Sequence, residues 1–185
     1  MAQIDSDTVK EDFSAYLEAI KSKDFETSLS YVVDEVFDIV PKETMLMVME
    51  QTFNTEGVEF TFGDFVIDKI NEPVVIDGTS YVIMNYTNDM SIRFTSEDED
   101  DEASEEDKKM TRLLTQSALE QQFGKGSVVF NETTDFYDIK AVKKAIAIGE
   151  ENEGKWKFLV VEKGNPFILK SILPSSILEK VLTED

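Results

Sequence analysis

Any chemistry in this chain has to be built without histidine or cysteine, because the sequence contains neither. That removes Cys/His zinc sites, disulfides, thiolate nucleophiles and every serine nucleophile that relies on an imidazole. Carboxylates, Tyr, Lys, Arg and the backbone remain. The densest carboxylate run is residues 97–107, EDEDDEASEED, with nine acids and no large apolar side chain. Oxygen ligands at this density suit Ca²⁺, but Asp98, Asp100 and Glu102 run into Ala103 where an EF-hand loop requires Gly. The run therefore predicts a flexible, self-repelling acidic loop that attracts counter-ions weakly and offers a surface to a basic protein partner. No metal site and no cofactor are expected. Gly124-Lys125-Gly126 lacks the further glycines and the following helix of a phosphate loop, and reads as a helix stop.

Two other groups of residues have the composition of a binding surface. Met45, Met47 and Met49 are adaptable thioethers within five residues; two of them share a helical stripe with Val48, which predicts core packing with Met47 outward. Trp156 alternates with Phe158 and Val160 on one face of a strand, where it forms either a pocket wall or ordinary core.

The elements that position these residues follow from hydrophobic period. Val9, Phe13, Tyr16, Leu17 and Ile20 fall on one helical stripe behind Asp7. Asp24 caps a second helix with Phe25, Leu29 and Val32, and Pro41 opens a third through Met45, Val48, Met49 and Phe53. Between them Val36-Phe37-Asp38-Ile39 is a short apolar turn. After Gly57 the period becomes two: Val58, Phe60 and Phe62 alternate with polar residues, and the apolar set shifts parity at Gly63-Asp64 to Phe65 and Ile67, as at a β-bulge. Asp77-Gly78 predicts a turn, with Tyr81 to Phe94 pairing back as a bent hairpin. Met110, Leu113, Leu114 and Ala118 mark a further helix. Four strands are predicted at Val128–Thr134, Ala141–Glu150, Lys155–Glu162 and Phe167–Leu173, and Pro174 opens a closing helix with Ile177, Leu178, Val181 and Leu182 on one side.

This order predicts a single α+β domain over residues 1–185, with helices on one face of an antiparallel sheet and the acidic loop 97–107 inside it. A net charge of −21 and a pI near 4.2 repel phosphate backbones and anionic membrane surfaces, so nucleic acid and membrane are not expected partners. Residues 1–5 lack a basic n-region and an apolar h-region, and no run approaches the ~20 apolar residues of a spanning helix. A soluble, cytoplasmic protein is the expectation.

The element order, with Trp156-Lys157-Phe158-Leu159-Val160 followed by Ile168 to Pro174, resembles the nuclear transport factor 2-like superfamily, which includes ketosteroid isomerase-like and polyketide cyclase-like proteins. The resemblance implies a curved antiparallel sheet wrapped around the N-terminal helices to leave a cone-shaped pocket. It names no function, because the family holds enzymes, binding proteins and dimeric scaffolds. The isomerase pattern implies a Tyr on the first helix, an Asp just after the second and a protonated Asp on a late strand. Tyr16 matches the first and Asp34 or Asp38 the second, while Asp135 and Asp138 stand near a strand end rather than within an apolar run.

Two functional readings result. The first is a non-catalytic domain that binds a small apolar ligand or another protein, its pocket formed by Phe13, Tyr16, Phe37, Trp156 and Phe158. The alternative is an isomerase-like or hydrolase-like enzyme with Asp38, set between Phe37 and Ile39, as base and Tyr16 as oxyanion donor. Ala145 and Ala147 alternate with Ile146 and Ile148, so neither face of that strand is polar, and a homodimer is expected to cover the outer one.

Overall fold

The computed structural model describes residues 6–95, 104–150, 155–161 and 166–183. Four helices lead: α1 (Ser6–Lys21), α2 (Phe25–Leu29), α3 (Glu35–Ile39) and α4 (Lys42–Phe53). The α1 stripe is the predicted one, with Val9, Phe13, Tyr16 and Leu17 buried. The helix stops where Lys23 takes a positive φ of 59° and the Asp24 N–H reaches back to the Ala19 carbonyl at 2.8 Å. The Asp24 carboxylate then accepts from the Thr27 N–H at 3.1 Å and caps α2, satisfying one of its orphan donors.

The strands are β1 (Val58–Ile70), β2 (Val74–Ile76), β3 (Thr79–Phe94), β4 (Val128–Asn131), β5 (Phe136–Glu150) and β6 (Lys157–Val161). They form one open antiparallel sheet of order β1-β3-β5-β4, with β2 also on β3 and β6 also on β5. The β2–β3 turn is Asp77-Gly78, both at positive φ (50° and 87°), which aligns Ile76 with Thr79 as a two-residue hairpin requires. Along β1 the half-buried set runs Val58, Phe60, Phe62 and then Gly63, Phe65, Ile67, the parity change expected of a bulge. Helix α5 (Glu105–Phe123) lies between β3 and β4, and α6 (Pro166–Ile172) and α7 (Ser175–Thr183) end the described chain.

The chain packs into two compact units: Met1–Met49 with Ile67–Tyr86 and Lys143–Asp185, and Glu50–Val66 with Thr87–Val142. In the first unit the sheet is covered on both faces, not one. Register pairs Ala147 with Phe158 and Ile146 with Leu159, and adjacent residues of a strand point to opposite faces. On one face Phe158 meets Phe13 of α1, and the small Ala145 and Ala147 beside it are fully buried. On the other, Ile146 and Leu159 pack with Leu169 and Leu173 of the α6 region and Ile177 and Val181 of α7. The apolar strand faces that suggested a homodimer are thus covered by helices of the same chain. The outer edge of β6 is also occupied: the Phe158 N–H donates to the Tyr31 carbonyl (2.7 Å) and the Val33 N–H to the Phe158 carbonyl (3.3 Å).

In the second unit, Met90, Ile92, Val128, Tyr137, Ile139 and Ala141 form the core. Leu119 and Phe123 of α5 pack against it, as do Phe60 and Phe62 of β1.

Several elements differ from the sequence reading: Val36–Ile39, expected as a turn, lies in α3, Val74–Ile76 adds a strand, and Val48, expected to pack with Met45 and Met49, is exposed. Residues 167–173, expected as a strand, belong to the α6 region: Pro166 suits a first helical position, and Leu169 and Leu173, four apart, are the buried pair. The predicted strand Val128–Thr134 ends at Asn131, because Thr134 and Asp135 both donate backbone N–H groups to the Asn131 carbonyl and Asp135 takes a φ of 57°. That turn sends Phe136–Lys140 back along β4 as the start of β5. Of the acidic run, residues 97–103 lie outside the described residues. Glu105, Glu106 and Asp107 form the first turn of α5 rather than loop, since Ser104 caps the Asp107 N–H and carboxylates are favoured at a helix N-terminus.

Candidate functional site

Phe13 and Tyr16 lie about one turn apart on α1, and both reach the Phe158 ring on β6, with centroids 4.9 and 5.8 Å away. Tyr86 meets Phe13 edge-on at 5.1 Å. Phe13 and Phe158 are at most 1% exposed and Tyr16 9%, so these rings fill one another's space as core. Trp156 docks on the same helix: its backbone N–H donates to Asp12 Oδ2 at 2.9 Å and its indole N–H to Thr8 Oγ1 at 3.2 Å. Phe37 is half-buried and Asp38 exposed on α3. The structure therefore gathers Phe13, Tyr16 and Phe158, sets Trp156 against α1, and leaves Asp38 in solvent.

Among the described residues, the first unit holds a larger and a smaller cleft at the end of β1. The larger, about 450 Å³, lies between Val9 and Lys10 of α1 and the end of β1, with Asp68, Lys69 and Glu72 around it and Val82 beneath. The smaller, about 190 Å³, is bounded by Glu72, Val74, Tyr81, Ile83, Ile177 and Lys180. Neither is lined by Tyr16, Asp38 or the other proposed pocket residues. Burial, helped by the nearby Glu35 and Asp77 carboxylates, raises the Tyr81 phenol above its ordinary 10.0, which leaves it protonated at neutral pH and unsuited to act as a base. The Asp24 carboxyl is lowered, chiefly by its hydrogen bond with Thr27, and this belongs to its capping role. Among the described residues no group of three or more acidic side chains is placed to hold a metal ion, and no helix is long and apolar enough to cross a membrane.

On the polar face of the second unit's sheet, Arg93 donates to Glu59 Oε2 at 2.6 Å and lies over the Phe136 ring, 4.6 Å from its centroid. Asp138 accepts from Ser91 Oγ at 2.7 Å and Asn131 Nδ2 at 3.2 Å. These groups tie strands together.

Helix α5 is the element whose chemistry does not match its packing. Its inner side carries Arg112, stacked 4.7 Å from the Phe130 centroid, Gln116, whose amide donates to the Val128 carbonyl at 2.9 Å, and Glu120, which accepts from the Gly126 N–H at 3.0 Å. Leu119 and Phe123 are the apolar residues among them. Met110, Leu113 and Leu114 face outward and are 59%, 54% and 64% exposed. No residue of this 19-residue helix is buried. A helix that docks by a largely polar side and presents an apolar one to water inverts the usual arrangement.

By spacing alone, Met110, Leu113, Leu114 and Ala118 form the helix's apolar stripe. The sequence also carries a second signal: Leu119 and Phe123, in line with Gln116 and Arg112, lie on the opposite side of the same helix, and these are the pair that packs on the core. The chain matches no protein-family model and no curated protein.

Proposed function

We propose that this chain is a non-catalytic protein-interaction domain whose docking face is the outer side of α5. The observation that carries this reading is the exposure of Met110, Leu113 and Leu114 on a helix held in place by its other side. Scattered apolar residues on a surface mean little, whereas a contiguous apolar strip on a helix marks a binding surface. Phe13, Tyr16 and Phe158 pack on one another, which favours an external surface over an internal ligand site. Solvent exposure of Asp38 gives the paired acid and phenol no common substrate position. The resemblance to the nuclear transport factor 2-like cone remains our reading of the fold family. It is supported by the α+β element order and by α1 against the sheet, while the helical α6 departs from its expected strand.

The test uses the absence of native thiols. A Leu114→Cys variant carries one label site, and an environment-sensitive dye attached there should report a fully aqueous environment in the isolated chain. A buried signal that persists on dilution would mean that the strip is already covered within the molecule, and the docking reading would fail.

A further inference from the structure

We infer that the outer edge of β1 takes up an extended peptide of another protein as an added strand, with an acidic side chain toward Lys10 and Lys69 and an aliphatic neighbour beside Ile177. The site belongs wholly to the first unit and is independent of α5. β1 ends the sheet order, and β3 is its one strand neighbour among the described residues. Asn71 donates its N–H inward to the Ile83 carbonyl at 2.9 Å. Backbone groups alternate in direction along a strand, so those of Ile70 face the outer edge, where an added strand can exchange hydrogen bonds with them. The larger cleft is lined by every residue from Ile67 to Pro73. A strand face would contribute only alternate residues, so this cleft runs along the edge.

Both clefts meet at that edge. They share Asn71 and Glu72 but lie on opposite faces of the sheet: Val82 floors the larger beneath α1, whereas Tyr81 and Ile83 line the smaller with Ile177 of α7. An added strand points successive side chains to opposite faces, so one enters each cleft. The two linings differ in chemistry. Val74, Ile83 and Ile177 make the smaller mainly aliphatic. In the larger, Lys10 and Lys69 form no ion pair among the described residues, Asp68 is engaged within the chain, and Glu72 is the remaining carboxylate. Two ammonium groups against one such carboxylate complement an acidic side chain. A second copy fits poorly, because antiparallel pairing of two β1 edges about Ile70 sets Asp68 of each copy opposite Glu72 of the other, and like charges facing across strands repel.

The probe is the blocked peptide Thr-Thr-Glu-Val-Thr-Thr, titrated into the full chain at moderate salt and followed by nuclear magnetic resonance. Its first control, Thr-Glu-Thr-Val-Thr-Thr, has the same composition but sends both side chains to one face; its second replaces Glu by Lys. The Glu-Val peptide should bind roughly tenfold more tightly than the first control, since a strand read on both faces is sensitive to a one-residue slip. Saturation should slow exchange of the Ile70 amide. In Lys10→Gln/Lys69→Gln, changed at two exposed positions, binding should weaken about two- to fivefold, as for partly exposed ion pairs, and the preference for Glu over Lys should disappear while the thermal melt stays that of wild type. Equal binding of the Glu-Val peptide and its first control, an Ile70 amide that stays unprotected, or a preference for Glu that survives in the double variant overturns the inference. So does a dimer that itself protects Ile70, which would make a second copy the occupant. Absence of binding also overturns it, and would leave Lys69, Glu72 and Pro73 as guards of a bare sheet edge.

Discussion

Gly149 lies beneath the Trp156 indole so closely that a Cβ built on it would stand 2.9 Å from two carbons of the six-membered ring. The ring has little freedom to retreat, because its N–H is held by Thr8 and its backbone by Asp12. Gly149→Ala should therefore cost about 1–3 kcal/mol through overpacking. A lowered urea midpoint, with a changed near-ultraviolet dichroism from the chain's single Trp, is the expected readout; a wild-type midpoint would show that the indole yields.

Phe13 is fully buried and contacts three aromatic rings. Phe13→Ala should remove about 3–5 kcal/mol, a large part of a typical stability of ~5–15 kcal/mol. Leu17→Asp places an unpaired charge at a 3% exposed position and should leave the chain unfolded at room temperature. Asp38→Ala, at an exposed position, should lie within about 0.5 kcal/mol of wild type. Thermal melts of the three variants check the order, and a mild Phe13→Ala would take α1 out of the core.

Titration separates two groups at opposite ends of the pH scale. Tyr81 holds its proton more tightly in the folded chain than at its ordinary 10.0. Its contribution is complete below that value and is lost as pH rises toward the folded one. Tyr81→Phe should thus narrow its stability difference from wild type in the alkaline range. Asp24 is the reverse case, lowered from 3.8: its contribution is present above that value and lost as pH falls through the folded one. The gap between wild type and Asp24→Asn should close in acid. Denaturant melts across pH measure both, and gaps that do not move with pH would contradict these assignments.

The two sides of α5 should respond oppositely to the same kind of substitution. Met110→Gln/Leu113→Gln/Leu114→Gln should leave stability within about 0.5 kcal/mol of wild type, because those side chains already face water. Phe123→Ala should cost about 1–3 kcal/mol by uncovering the core of the second unit. If the triple variant melts much earlier, the outer strip is structural.

Much of this architecture is written locally. The α1 stripe from Val9 to Leu17, the Asp77-Gly78 turn and the Asp24 cap each follow from residues a few positions apart, so sequence was enough to place them. Residues 167–173 were harder. A seven-residue apolar run satisfies strand and helix patterns alike, and the deciding contacts of Leu169 and Leu173 are made with Ile146 and Leu159, which only the fold brings near. The same limit applies to Ala145–Ile148. Two apolar faces were legible, but one of the two helices that cover the second face, α6, comes from a stretch whose pattern reads as strand.

The candidate site was less legible, for a related reason. Of the five pocket residues expected, Phe13, Tyr16 and Phe158 meet as rings, and composition does not distinguish the wall of an open pocket from rings that fill it. On α5 both sides carry apolar residues, and the choice between them is made by Gln116 reaching the Val128 carbonyl and by Arg112 stacking on Phe130. Such polar anchoring leaves no periodic trace.

The backbone stitch between β6 and the Tyr31–Val33 segment bears on how the molecule comes into being. Phe158 takes up hydrogen-bonding groups of the chain's first quarter, and Trp156 closes on Asp12 across a separation of 144 residues. During synthesis, α1 therefore emerges with part of its apolar stripe exposed, and the segment that completes its cover follows 144 residues later. Contacts this distant impose a loop-closure cost that is met only late in folding, and non-local contacts of this kind slow it. Until then its unsatisfied apolar surfaces are those that chaperones bind. A substitution in β6 should accordingly lower the yield of folded protein by prolonging the lifetime of that incomplete chain.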